Sequence, residues 1–342
     1  METFNAPGIV KWSVISALGS TAAQTGFFLR AGANNVRLTP FIDEWGERVQ
    51  MCCVTSLSQT LTGIERMLSL ATRALTPLYE QLRPGARIAL ALPERFASEP
   101  LMNSLNEEGQ MFAKRFSLEI SAVAKGVQVD YFPAGRAGGT VALERAIDWL
   151  MRRETKFAIA GGVDSFYEWR MLEALQKQDR LLTQDNLDGF IPGEGAGFFA
   201  LSRDYPSSAR IVAFGSGVEP KSVLSNDASL AKGITQAMNA AIQPLREAGR
   251  RSTYWVVDLT HETYGIKEFQ TVITRFGDVL GAPTRLETPL REFGNVGAAT
   301  LPIFVALACE AWTRKYAADQ FCVVLAGSDN GLRGALLLEA VA

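Results

Sequence analysis

"AGGTVALERAIDWLMRRETKFAIAGGVDS", residues 137–165, is the stretch whose reading decides the fold. Small residues open it, and Val141, Ala142, Arg145, Ala146, Trp149 and Leu150 then recur at helical spacing. A basic and polar exit follows, then an apolar strand, paired glycines and an acidic turn. "VGAATLPIFVALACEAWTRKYAADQFCVVLAGSDN", residues 296–330, repeats that order with about six extra residues before its strand. A closing strand comes after each, "GAGFFALSR" and "RGALLLEAV". Two halves built alike predict two sheets stacked around shared central helices. The alternative is a chance match between two common α/β units. The polar segment "RDYPSSAR", residues 203–210, marks the boundary and gives halves 1–205 and 206–342.

Outside the echo, short apolar runs alternate with helical patterns. "GIVKWSV", "VQMCCV", "RIALAL", "VQVDYF", "RIVAFGSGV" and "YWVVDLT" read as further strands. Ile64, Leu68, Ala71 and Leu75 form one helical stripe; Leu230, Ile234, Met238, Ala241 and Leu245 form another. This alternation predicts an α/β protein with largely parallel or mixed sheets. A chain of 342 residues can bury a substantial core. Its net charge of −2, with no basic run, argues against a nucleic-acid partner. The apolar stretch "LPIFVALAC" is too short to span a bilayer, and "METFNAPGIVKW" lacks the pattern of a signal peptide, so a cytoplasmic location with no membrane partner is expected. The four cysteines, Cys52, Cys53, Cys309 and Cys322, follow no disulfide or zinc spacing and read as small buried hydrophobes. With a single histidine in the chain, neither a metal nor another cofactor is expected.

Four places could carry chemistry. "VDYFPAGRAGGTVALERAIDWL", residues 129–150, is a strand, a sharp turn and a helix. Such a turn holds a side chain over a helix N-terminus, where free N–H groups and the helix dipole favour an anion or an activated nucleophile. Its tip carries Arg136, which is no nucleophile, and no Cys or Ser occurs between residues 126 and 164. In "DGFIPGEGAGFFALSR", residues 188–203, Gly193, Glu194, Gly195 and Gly197 read as a tightly packed structural loop. A phosphate cradle is the sharper reading, but no helix and no Lys-Ser/Thr follows the glycines. His261 stands just past an apolar strand, where ligand and catalytic groups gather in α/β sheets. Taken alone, a lone histidine is more often a structural hydrogen-bonder. Asn295, flanked by Gly294 and Gly297, suits a helix N-cap and could equally donate to an oxyanion.

The succession "GGVDSFYEWRML", "DGFIPGEGAGFFALSR", a His after an apolar strand, "FGNVGAATLP" and the hairpin "AGSDNGLRGALLLE" resembles the thiolase superfamily, with the β-ketoacyl-ACP synthases as its nearest branch. The likeness runs over most of the chain and is clearest from residue 125 onward. It implies a thiolase-like five-layered αβαβα fold of two duplicated halves, and a homodimer or a heterodimer with a related synthase. Acyl carrier protein or acyl-CoA would be the further partners. In active members a Cys at the N-terminus of a buried helix takes an acyl group, and a His with a second His or an Asn drives decarboxylation of a malonyl thioester. By this resemblance His261 and Asn295 correspond to the catalytic pair, and the nucleophile position falls on Arg136. The chain then looks like a degenerate synthase acting as a non-acylating partner or binding subunit, comparable in type to the chain-length-factor members. One alternative is a residual enzyme in which His261 and Asn295 decarboxylate a malonyl thioester. A weaker one is an accessory or adaptor protein of a type VI secretion effector cassette.

Overall fold

The computed structural model describes residues 6–43, 45–82, 85–225 and 227–341. In the N-terminal part, β1 (Gly8–Ser16), β4 (Arg87–Leu92), β5 (Gln128–Pro133), β6 (Ala158–Ser165) and β7 (Glu194–Ser202) carry the sheet. The helices there are α1 (Ala22–Arg30), α2 (Gly63–Leu75), α3 (Glu107–Val123), α4 (Gly138–Met151) and α5 (Trp169–Lys177). A two-stranded ribbon, β2 (Val36–Ile42) and β3 (Arg48–Cys52), stands apart from the sheet. The C-terminal part has β8 (Ala209–Val218), β9 (Ser252–Val257), β10 (Leu280–Glu287), β11 (Phe321–Gly327) and β12 (Leu332–Ala340). Its helices are α6 (Lys232–Glu247), α7 (Thr263–Arg275), the single turn α8 (Leu290–Phe293) and α9 (Thr300–Thr313).

The strand order β10-β9-β11-β12-β8-β1-β7-β6-β4-β5 contains one pattern twice. Within each five-strand set, the third strand lies outermost, followed by the second, fourth, fifth and first. Directions repeat too: β4 pairs parallel with β5 and β6, as β9 does with β10 and β11, and the remaining pairs are antiparallel. The sets meet where β1 pairs with β8 through only Gly8–Arg210 and Ile9–Ala209.

Helices α4 and α9 lie between the two sets and touch strands of both. Helices α2 and α3 cover the outer face of one set, α6 and α7 that of the other, so five layers alternate as helix, sheet, helix, sheet, helix. The sequence of α9 shows why it belongs in the middle: every residue from Thr300 to Ala311 is buried, so it has no polar face to offer water. Outer helices such as α2 and α6 instead bury one stripe. Glycine sets how closely the central layer seats. A Cβ on Gly139 would lie 2.9 Å from Leu301 and Pro302 of α9, and one on Gly162 of β6 would lie 2.1 Å from the Ala298 carbonyl. The small residues that begin the two echoed segments therefore let the starts of the two central helices meet. No described helix is long and apolar enough to cross a membrane.

Candidate functional site

The starts of α4 and α9 face one region, and the residues singled out by the sequence distribute around it unevenly. Strand β5 ends at Pro133, the chain turns through Ala134–Ala137, and α4 begins at Gly138. Gly135 takes φ +67° at this turn, and a Cβ there would lie 2.2 Å from Oε1 of Glu94. The turn thus needs glycine both for its conformation and for the carboxyl packed against it.

Arg136 follows, with only 14% of its side chain exposed. Its Nε donates to the Gly327 carbonyl at 2.6 Å and its Nη2 to Oδ1 of Asp329 at 3.0 Å, while Asp258 lies 3.5 Å from Nε. A cation at a helix N-terminus is disfavoured by the dipole; here carboxylates from the β11–β12 turn and the end of β9 offset that cost. Asp329 is shared. Arg180, after α5, donates to it from Nη1 at 2.6 Å and to Glu262 from Nε at 2.8 Å. Burial alone would raise the Asp329 carboxyl, but Arg136 and Arg180 override it and hold it at about 2. Glu94 goes the other way: burial, then repulsion from Asp329, raises it to about 8 although it accepts the N–H groups of Asp329 and Asn330. The first N–H of the α4 entry, on Ala137, donates to Oγ of Ser328 at 2.9 Å, and that hydroxyl donates to the Ala134 carbonyl at 2.6 Å.

At the other helix start, Asn295 is 3% exposed and its Oδ1 accepts the Gly297 N–H at 3.0 Å. This is a local capping role. Oδ2 of Asp164, at the end of β6, accepts the Ala298 N–H at 3.1 Å, and Oδ1 receives Nη1 of Arg95 at 3.0 Å and the Ser165 N–H at 2.9 Å. One free N–H of the turn that leads into α9 is therefore met by a carboxylate of the protein itself.

The glycine loop is the scaffold beneath Asn295. The Gly193 N–H donates to the Asn295 carbonyl and the Asn295 N–H to the Ile191 carbonyl, both at 2.8 Å. Glu194 is fully buried and takes a forked ion pair from Arg66, Nε to Oε2 at 2.5 Å and Nη2 to Oε1 at 2.7 Å. The Val54 N–H and the Ser165 hydroxyl complete its shell. Gly195 and Gly197 pass within 2.8 Å, at their would-be Cβ, of the Ile15 carbonyl and the Ile303 nitrogen.

A cavity of about 90 Å³ lies between the two helix starts, lined by Glu94, Arg95, Arg136, Asp164, Asn295 and Asp329 among others. It is lined by polar groups and large enough to hold water. Arg136 and Asn295 come together there. His261 does not line it; it sits half-buried on the loop after β9, and burial, then the charge of Arg291, lowers its pKa. Sequence reasoning missed Glu94, Arg95, Asp164, Arg180, Asp258 and Asp329. The acids at the ends of the two echoed strands, Asp164 and Asp329, were the available signal, since both stand in the acidic turns that the repeat brings to the same place. All four cysteines are buried and free. Burial pushes Cys52 and Cys53 up to about 12 and raises Cys309 and Cys322 as well, so none is a ready thiolate.

Residues 124–206 match the family model described as beta-ketoacyl synthase, N-terminal domain. No curated protein matches the chain in sequence. The fold is thiolase-like and similar to that of ketosynthases. Among solved structures it is similar to the ketosynthase from module 6 of the bacillaene synthase of Bacillus subtilis 168, with 14% identity, a TM-score of 0.77, and coverage of 98% of this chain and 72% of that one. It is also similar to a ketosynthase in complex with its chain length factor from Xenorhabdus doucetiae, with 13% identity, a TM-score of 0.72, and coverage of 100% and 99%. A third similar structure holds a type II acyl-carrier protein in complex with its ketosynthase bound to the hexaketide, with 14% identity, a TM-score of 0.77, and coverage of 98% and 99%.

Proposed function

We propose that this chain is a ketosynthase-like subunit that forms no acyl-enzyme and works as a partner or binding subunit, either as a homodimer or beside a related synthase. The observation that carries the reading is Arg136. It occupies the turn before the buried helix α4 and is tied there by Gly327 and Asp329. A guanidinium keeps its proton at any physiological pH and offers no lone pair for thioester chemistry. The hydroxyl at the same helix start, Ser328, is committed to the Ala134 carbonyl.

A partner role is supported by the outer strand β5, which pairs on one side only, with β4, among the described residues. Met111, Leu118 and Val123 of the neighbouring α3 are exposed, and an unpaired edge with apolar flanks invites association. The ketosynthase–chain length factor complex gives the analogy for a synthase as partner, and the ketosynthase held by an acyl-carrier protein gives that for a carrier. The repeated strand order likewise supports reading 1–205 and 206–342 as two halves of common design.

Incubation with a mixture of acyl-CoA and malonyl thioesters, followed by intact mass measurement, tests the proposal. An unchanged mass is expected; a covalent acyl adduct overturns it.

A further inference from the structure

A second cavity, of about 50 Å³, lies in the C-terminal half between β9, β11 and α7. Its walls include the apolar Ile234, Leu259 and Phe269 and the polar Arg136, Asp258, Tyr264, Glu268 and Arg333. Among the described residues, Arg136 is the one residue that lines both this cavity and the one beneath Asn295. The next elements of the boundary are consecutive in sequence, with Gly327 and Ser328 facing one cavity and Asp329 the other. Both described hydrogen bonds of the guanidinium, through Nε and Nη2, run to this same turn.

We propose that the Arg136 side chain is a partition across a single internal channel. It is latched shut by the β11–β12 turn, and shortening it joins the two cavities into one passage from Asn295 to Tyr264. The latch is a fork held at two points, so it stays closed while Asp329 is ionised and in place. Asp329 in turn is held by Arg180, which keeps its own anchor on Glu262. Loss of the Arg136 guanidinium therefore leaves the frame around the opening paired, and the space is not filled by a collapsing carboxylate. The proposal rests on the linings of the two cavities, which share Arg136, and stands whether or not the chain forms an acyl-enzyme.

The test places a thiol at the partition. In Arg136→Cys, iodoacetamide is expected to add one carbamidomethyl group, read by intact mass under native conditions, while the four buried native cysteines stay unmodified. The two ends are then blocked separately. Gly265→Phe fills the second cavity from α7, where a Cβ meets only Leu259 at 3.9 Å, and Met171→Trp fills the first from α5. Labelling that survives either block alone and is lost with both is the expected result. Absence of labelling in Arg136→Cys, or its loss with a single block, overturns the proposal. Where Arg136→Cys fails to fold, a crystal structure of Arg136→Lys replaces it. A continuous file of ordered water from Asn295 to Tyr264 supports the channel, and movement of Asp329 or Arg180 into the gap refutes it.

Discussion

The two central helices begin side by side, yet their N-termini are treated in opposite ways. At the start of α9 a carboxylate, Asp164, meets the free N–H of Ala298, and its charge suits the helix dipole. At the start of α4 a hydroxyl, Ser328, meets the free N–H of Ala137, and a cation stands beside it. The second arrangement persists only because Asp258 and Asp329 surround Arg136. Both helix starts draw their partners from the opposite half of the chain, Asp164 for one and Ser328, Asp258 and Asp329 for the other; what differs is the charge that each start meets. The comparison teaches that a duplicated frame can keep its backbone geometry while its two helix starts meet different charges.

The largest effect should come from breaking the carboxylate-capped end. Asp164→Ala removes the acceptor of Ala298 and Ser165 and leaves the Arg95 guanidinium without its carboxylate, so a loss of about 3–5 kcal/mol is expected in urea unfolding. A loss below about 1 kcal/mol would show that this end is not what holds α9 in place. Arg136→Ala should cost less, about 2 kcal/mol, because Asp329 keeps Arg180 and Asp258 keeps the Gly327 N–H. If Arg136→Ala proves as damaging as Asp164→Ala, the two ends are equally dependent on their ion pairs and the contrast fails.

A pH profile sharpens the same contrast. The Glu94 carboxyl is raised from 4.5 to about 8 by burial and by Asp329. Its neutral form is the one the fold prefers, so its contribution is fully present below pH 4.5 and is lost as pH rises through about 8. Glu94→Gln should therefore flatten the fall in melting temperature between neutral pH and pH 9; an unchanged slope would assign that fall to another group. His261→Ala should have the smallest effect, under about 0.5 kcal/mol, since the side chain is half-exposed and lines neither cavity. A larger loss, or a drop in partner binding, would restore His261 to the site.

Much of the frame was legible in the sequence because it is written locally. The all-apolar run of α9, the glycines before α4 and the paired glycines of β6 each announce a buried, closely approached element. Strands β2 and β10 were missed for equally local reasons: "VRLTPFI" carries a proline and faces water at most positions, and "LGAPTRLE" contains both Gly and Pro. The site was only half legible. Arg136 and Asn295 sit at helix starts that the pattern could locate, but the partners of Arg136 lie 122 and 193 positions further along the chain, at Asp258 and Asp329. No periodicity records such a meeting. The sequence placed His261 at a strand end, and it does sit on the loop after β9, but which cavity a loop side chain lines depends on packing that no spacing rule encodes.

The junction of the two five-strand sets has a mechanical meaning. Ten strands form one hydrogen-bonded sheet, but within its ladder only two residue pairs, Gly8–Arg210 and Ile9–Ala209, join the two five-strand sets. Such a seam transmits almost no shear. The rigidity of the whole must come from the apolar slab of α4 and α9 clamped between the sets, much as a laminate owes its stiffness to the glue line and not to the stitching at its edge. Amides on either side of the seam should then exchange with solvent as two separate cooperative blocks, while those of α9 exchange last of all.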